Sequence, residues 1–253
     1  MIGIFDSGSG GLSVLRAVRE RMPAADILYF GDIKNAPYGL RSRAELSRLT
    51  VAAIERLQQR GARDIVSACN SVSASLVLSL FETLPVAADS LIEMVGPTVS
   101  HFKGSPACIL LVATPATVNS EIYQNAFLMI GKEIHAVAIP ALAGAIESGA
   151  GDAEIEAIIR DALAGIDRSA YDVCVLACTH YPLVREQFEQ VLGSGLEVFD
   201  PAMAVAERVR RKFGSQEAGE GRLHFMISQD SAPFRARVAA FFPGDDAVIE
   251  VLQ

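Results

Sequence analysis

The chain has 253 residues, about half apolar and a fifth charged, a balance that marks a globular protein able to bury one large core or two ordinary ones. A net charge of −8 without a Lys/Arg cluster argues against nucleic-acid or acidic-membrane partners, and no apolar run approaches the ~18 residues of a membrane span. Arg208, Arg210, Arg211 and Lys212 form the densest basic group and are expected to coat a helix end.

The opening segment from Met1 to Asp6 lacks a basic region and reads as a first strand, not a signal peptide. Asp6-Ser7-Gly8-Ser9-Gly10-Gly11 then forms a glycine turn into a helix with Leu15, Val18 and Met22 inside, stopped by Pro23. The turn lacks the third glycine of Gly-x-Gly-x-x-Gly and any following Gly-Lys-Ser/Thr, so it holds a carboxylate as readily as a phosphate. Residues 27–30 are a buried strand whose outlet loop carries Pro37-Tyr38-Gly39. Ser42 and Glu45 predict a capping box for a helix along Leu46, Leu49, Ala53, Ile54 and Leu57, ended by Gly61. A strand over 64–68 delivers Cys69, followed by a helix with Leu76, Val77, Leu80, Phe81 and Leu84.

The next hundred residues repeat this scheme. Strands are expected over 109–113 and 134–139, with helices around Tyr123 and Phe127 and along Ile155, Ile159 and Leu163, and a strand over 173–177 delivers Cys178. Asp6 with Thr114 and Tyr29 with Val137 are 108 residues apart, and Cys69 with Cys178 109 apart, a common offset that predicts an internal duplication. The expected architecture is therefore α/β: two similar open parallel-sheet domains with a cleft between them. After a polar, glycine-rich and mobile loop over 214–221, a strand at Leu223–Ile227, a helix through Phe234, Val238 and Phe241 and an edge strand over 248–252 are expected to return to the first half. That gives a discontinuous first domain, 1–95 plus 209–253, and a second over 96–208.

Parallel α/β sheets bind ligands beyond the carboxyl ends of their strands, where both Cys69 and Cys178 fall. A helix N-terminus beside each sulfur favours its thiolate, so two activated thiols are expected. One on either side of a small ligand suits inversion of a carbon centre, with one sulfur removing a proton and the other supplying one to the opposite face. Asp6 is the candidate to orient or deprotonate Cys69, and His180 its counterpart beside Cys178. Cys108 and Cys174, inside apolar runs, read as small buried hydrophobes, and His101, His135 and His224 as structural. The cysteines form no Cys-x2-Cys pair, so no structural zinc is expected, and with no export signal the thiols belong to a reducing cytoplasm.

These residues carry a family resemblance that runs from end to end. Ile4-Phe5-Asp6-Ser7-Gly8, Pro37-Tyr38-Gly39, Ala68-Cys69-Asn70, Ala113-Thr114-Pro115-Ala116-Thr117, Glu147-Ser148-Gly149 and Cys178-Thr179-His180-Tyr181-Pro182-Leu183 resemble the motifs of the glutamate racemases, in the cofactor-independent aspartate/glutamate racemase superfamily. The resemblance implies interconversion of L- and D-glutamate for bacterial peptidoglycan without pyridoxal phosphate or metal, in a homodimer. It assigns Cys69 to the D-enantiomer and Cys178 to the L-enantiomer, with Asp6, Glu147 and His180 assisting proton transfer. It also implies substrate contacts at Asp6, Ser7, Tyr38, Gly39, Asn70, Ser71, Thr114, Thr117, Thr179 and His180. Ser71, Ile33, Asn35, Ile139 and residues 87–99 depart from the family pattern, which leaves racemization of aspartate or another amino acid open. A non-catalytic ligand sensor on the same scaffold is the rival from another class.

Overall fold

A computed structural model describes residues 1–73, 87–244 and 247–252. Ten strands, β1 (Ile2–Asp6), β2 (Ile27–Gly31), β3 (Asp64–Ser67), β4 (Leu91–Ile92), β5 (Ile109–Ala113), β6 (Ile134–Ala138), β7 (Val173–Ala177), β8 (Glu197–Phe199), β9 (Leu223–Ile227) and β10 (Val248–Val251), form two parallel sheets among the described residues. The first runs β10-β9-β2-β1-β3-β4 and the second β6-β5-β7-β8. The order β2-β1-β3-β4 in one matches β6-β5-β7-β8 in the other, so the duplicated sequence folds as duplicated topology. β9 and β10 extend the first sheet along its β2 edge, in parallel register.

Both central strands of each half are buried on two faces, as their continuous apolar runs require. Helix α1 (Leu12–Arg21) turns Leu15 and Val18 into the first core with Met22. The capping box of α2 (Arg43–Gln59) forms as expected: Glu45 N–H donates to Ser42 Oγ at 3.4 Å and Ser42 N–H donates to Glu45 Oε2 at 3.0 Å. Gly61 beyond it takes φ +90°, a conformation that favours glycine. The second half carries α3 (Val95–His101), α4 (Pro115–Asn119), α5 (Ile122–Leu128), α6 (Leu142–Ser148), α7 (Asp152–Ala162) and α8 (Arg185–Leu192). Then α9 (Ala202–Phe213) and α10 (Ala232–Phe241) pack on the first sheet.

The expected boundary between residues 208 and 209 falls inside α9. Ala202, Val205, Ala206, Val209 and Phe213 lie along one face of that helix and enter the first core together with Ile2, Leu15 and Val18. Burying Val205, Val209 and Phe213 contributes roughly 1.5–3 kcal/mol each, enough to keep the helix whole on that sheet. Arg210, Arg211 and Lys212 occupy its last turn, where cations offset the helix dipole.

Three expectations are corrected. Cys108 is exposed and precedes β5, because the strand begins one residue later at Ile109; Cys174 is buried as expected. Residues 214–221, expected as a mobile loop, are tied down: they open with a short turn over Gly214–Gln216, Gln216 donates to Asp64 at 2.8 Å, and Glu220 N–H donates to Asp26 at 3.1 Å. Cys178 leads into the 3₁₀ turn Tyr181–Val184 and not directly into an α-helix. The helix expected along Leu76 to Leu84 lies outside the described residues beyond its first turn at 70–73.

Candidate active site

The strand exits Asp6 of β1, Cys69 after β3, Thr114 after β5 and Cys178 after β7 converge between the two sheets. There a narrow cavity with a volume of only about 10 Å³ is lined by Ser7, Pro37, Tyr38, Gly39, Cys69, Asn70, Ser71, Thr114, Ala143, Cys178, Thr179 and His180. Each half contributes one sulfur to it. Both sulfur-bearing residues are buried, 5% exposed for Cys69 and 6% for Cys178. Of the expected site residues, Asp6, Glu147 and Thr117 stand behind this wall. Thr117 holds Thr114 in place, its N–H capping onto Thr114 Oγ1 at 3.4 Å.

Asp6 is fully buried, and its carboxylate is a hub. Oδ2 accepts from Gly8 N–H and Gly11 N–H, both at 3.1 Å, and Oδ1 accepts from Thr179 Oγ1 of the other half at 3.1 Å. Burial pushes its pKa up, and His180 and the two backbone donors only partly offset this. Cys69 Sγ instead donates to Ser7 Oγ at 3.8 Å. Its thiol is pushed up, by burial first and then by the Asp6 charge, so the expected activation of this thiol by the helix start is outweighed.

The other sulfur has different company. Cys178 Sγ lies 4.0 Å from His180 Nδ1, and His180 Nε2 lies 2.7 Å from Glu147 Oε2. Burial would lower the His180 pKa, but Cys178 and Glu147 overcome it and hold the ring well above the ordinary histidine range. Glu147 is the reciprocal case: burial would raise it, yet His180, Ser9 and Arg237 hold its carboxyl down at about 2. Imidazolium beside one sulfur and a neutral thiol at the other make the two half-sites chemically unequal.

Polar contacts close the halves over the cavity. Ser71 Oγ and Thr114 Oγ1 are 2.9 Å apart, Tyr123 Oη donates to Asn70 Oδ1 at 2.5 Å, and Ser9 Oγ donates to Glu147 Oε2 at 2.6 Å. Tyr38 lines the cavity while its hydroxyl donates to Asp32 at 2.6 Å, and Asn35 donates to the same carboxylate. The glycine turn serves close approach. A Cβ on Gly10 would sit 2.7 Å from His180 Nδ1 and 2.8 Å from its backbone nitrogen, and one on Gly39 would lie 2.6 Å from Thr114 Cβ. Ser9, Tyr123 and Arg237 escaped the sequence reading, since each acts through a partner far away in the chain, and so did Ala143, which lines the cavity. Among the described residues no group of three or more His, Cys, Asp or Glu side chains could hold a metal ion, and no helix is long and apolar enough to cross a membrane.

The sequence pattern of the Asp/Glu/Hydantoin racemase family matches residues 9–209. A glutamate racemase from Aquifex aeolicus is 32% identical over 224 residues, covering 88% of this chain and 87% of its own. Among solved structures, a glutamate racemase isoform from Bacillus anthracis is similar at 25% identity and a TM-score of 0.87, over 100% of this chain and 97% of that one. A glutamate racemase from Francisella tularensis, solved in complex with D-glutamate, is likewise 25% identical, with a TM-score of 0.84 over 100% and 97%. With the sequence match spanning both halves and the structural likeness spanning the whole chain, this protein belongs to the Asp/Glu/Hydantoin racemase family.

Proposed function

We propose that this protein interconverts L- and D-glutamate by proton transfer between the α-carbon and two thiols. The observation that carries the reading is that Cys69 and Cys178, from opposite halves, line one narrow cavity. In one direction the Cα–H bond breaks toward one sulfur, its electron pair delocalises into the α-carboxylate, and the S–H of the other cysteine breaks to protonate the opposite face. The enzyme ends with its two sulfurs in exchanged protonation states, and the reverse reaction or solvent exchange resets them. The raised thiol of Cys69 suits it to supply the proton to the opposite face, its part in the L-to-D direction.

An α-amino acid is a weak carbon acid, so the developing charge needs fixed donors in a water-poor site. Ser7, Ser71, Thr114 and Thr179 supply hydroxyls there, and Asn70 Nδ2 is a buried donor without a partner among the described residues. Base and acid are both sulfur, so this reading assigns no pyridoxal phosphate and no metal. Glutamate is favoured over aspartate by the names of the relatives above. The same likeness supports a cytoplasmic homodimer that supplies D-glutamate for peptidoglycan.

The test is a panel of single amino acids incubated in deuterium oxide, followed by circular dichroism and by mass at the α-carbon. Glutamate of either hand is expected to racemize with deuterium incorporated, and Cys69→Ser or Cys178→Ser to slow this by about 10²–10⁴-fold. Racemization of aspartate instead would move the substrate assignment. Binding of glutamate without any exchange would favour the sensor reading, and either serine variant racemizing at the wild-type rate would overturn the two-thiol mechanism.

A further inference from the structure

Arg237, on α10, belongs to none of the motifs that carry the resemblance, yet its guanidinium reaches the back of the Cys178 half-site. Nη1 donates to Ser9 Oγ at 2.6 Å and stands 3.6 Å from Glu147 Oε2, while Nη2 donates to the carbonyl of Ile146, near the end of α6. That carbonyl is among the last in its helix, where a cation is well placed. Arg237 and Ser9 come from the first half, and Ile146, Glu147 and His180 from the second, so the arrangement assembles only when the halves meet.

Hydrogen counting gives the chain of contacts a direction. Arginine has donors only and does not lose its charge. Ser9 Oγ therefore accepts from Nη1, and its one hydrogen goes to Glu147 Oε2. Ser9 N–H donates to the same oxygen at 3.2 Å. An oxygen receiving these donors has no hydrogen to give, so His180 Nε2, 2.7 Å away, must be the donor of that pair. The ring nitrogen left facing Cys178 Sγ, at 4.0 Å, is Nδ1.

We infer that Arg237 is the positioning residue of the Cys178 half-site: through Ser9 and Glu147 it fixes the His180 proton on Nε2 and leaves Nδ1 to exchange a proton with the sulfur. The inference deepens the racemase reading and rests on it for its kinetic consequence, although the proton placement stands without it. Cys69, held by Ser7 in the other half-site, has no contact with Arg237, so loss of the arginine weakens one proton transfer and not the other.

Nitrogen-15 NMR of histidine-labelled, substrate-free protein tests the placement. The titratable or charged groups facing His180 and Glu147 are Cys178, Asp6, Tyr29 and Arg237 itself. Wild type is expected to show His180 protonated on Nε2 through neutral pH, with Nδ1 the nitrogen that responds to pH. Arg237→Gln is expected to release the Nε2 proton to exchange and mix the tautomers, and Arg237→Lys to restore the signature in part. His101, His135 and His224 report in the same spectra that each variant is folded. In parallel, kcat of Arg237→Gln on glutamate is expected to fall about 10- to 100-fold. Its α-deuterium isotope effect should rise for the enantiomer whose proton Cys178 takes and fall for the other, a split that a uniformly loosened fold does not produce. A wild-type ring whose neutral form keeps its proton on Nδ1, or Arg237→Gln spectra and isotope effects equal to wild type, overturn the inference. A wild type that carries the signature but racemizes nothing sinks the racemase reading and leaves the positioning role standing.

Discussion

Asp6 shows how burial and chemistry oppose one another at a single residue. A carboxylate with no exposed surface, among few compensating charges, has a folded-state pKa above its ordinary 3.8. The folded protein then binds a proton more readily than the unfolded chain does. Asp6 favours folding fully below pH ~3.8, and that contribution is lost as pH rises through the raised folded pKa. At neutral pH Asp6 is therefore a cost to stability, retained for its place behind Cys69. Asparagine fits the same contacts: its oxygen accepts from Gly8 and Gly11 N–H, and its amide donates to Thr179 Oγ1. Asp6→Asn is expected to raise Tm at pH 7, with the gain shrinking toward pH 3.8, while racemization falls by at least about 100-fold. Thermal melts across this range, run beside activity, check both signs; a lower Tm at pH 7 would mean the hydrogen bonds outweigh desolvation. Glu147 has the opposite sign. Held down at about 2, it stabilises the fold above its ordinary 4.5, and this is lost as pH falls between those values. The stability gap between wild type and Glu147→Gln is expected to close over that window in acid melts.

At the scale of elements, the glycine turn between β1 and α1 is one of the places where the two halves come into close contact. Gly10 has an ordinary negative φ, so alanine is permitted by the backbone, and only proximity to His180 and Thr179 forbids a side chain. Because one of the opposing atoms is backbone, the clash is relieved only by moving the halves apart. Gly10→Ala is expected to keep its far-UV circular dichroism and lose at least about 100-fold in kcat, as a displacement near 1 Å at reacting groups costs. Wild-type kcat in that variant would show that the halves tolerate separation. The spacing of this turn was legible in the sequence, but its purpose was not, since the partner lies 170 residues away in the other half. Long apolar runs and a constant offset disclosed the duplicated strands, whereas β4 and β8, two and three residues long, are too short to show a period. Cys69 and Cys178 were readable as strand exits. Glu147 came only with the resemblance, and Arg237 not at all, because a contact 228 residues away in the chain leaves no local pattern. The thiol of Cys69 was misjudged for a physical reason: a helix start stabilises an anion by a fraction of a charge, and full burial costs more.

The whole molecule is two sheets, each packed between its own apolar clusters, that meet near the site through polar contacts. Each sheet carries apolar clusters on both faces, so each half has the means to hold itself together, while the seam near the site consists of hydroxyl, amide and carboxylate contacts. Contacts of that kind contribute about 1 kcal/mol net apiece, far less than either core, so separation of the halves is the low-energy motion. It is also a required one: Asn70, Ser71, Thr114 and Thr179 are all nearly inaccessible, and no substrate reaches the sulfurs until the seam opens. A ligand lodged between the halves binds to both and therefore couples their unfolding. Ligand-free protein is expected to melt with a broadened, two-component calorimetric endotherm. Glutamate at about 100 times its dissociation constant adds roughly 2.7 kcal/mol, which for a chain of this size is about 5–10 °C in Tm. A molecule held by both walls raises and merges the two components, whereas one seated on a single half raises that component alone and leaves the other where it was. The second result would place glutamate outside the space between Cys69 and Cys178.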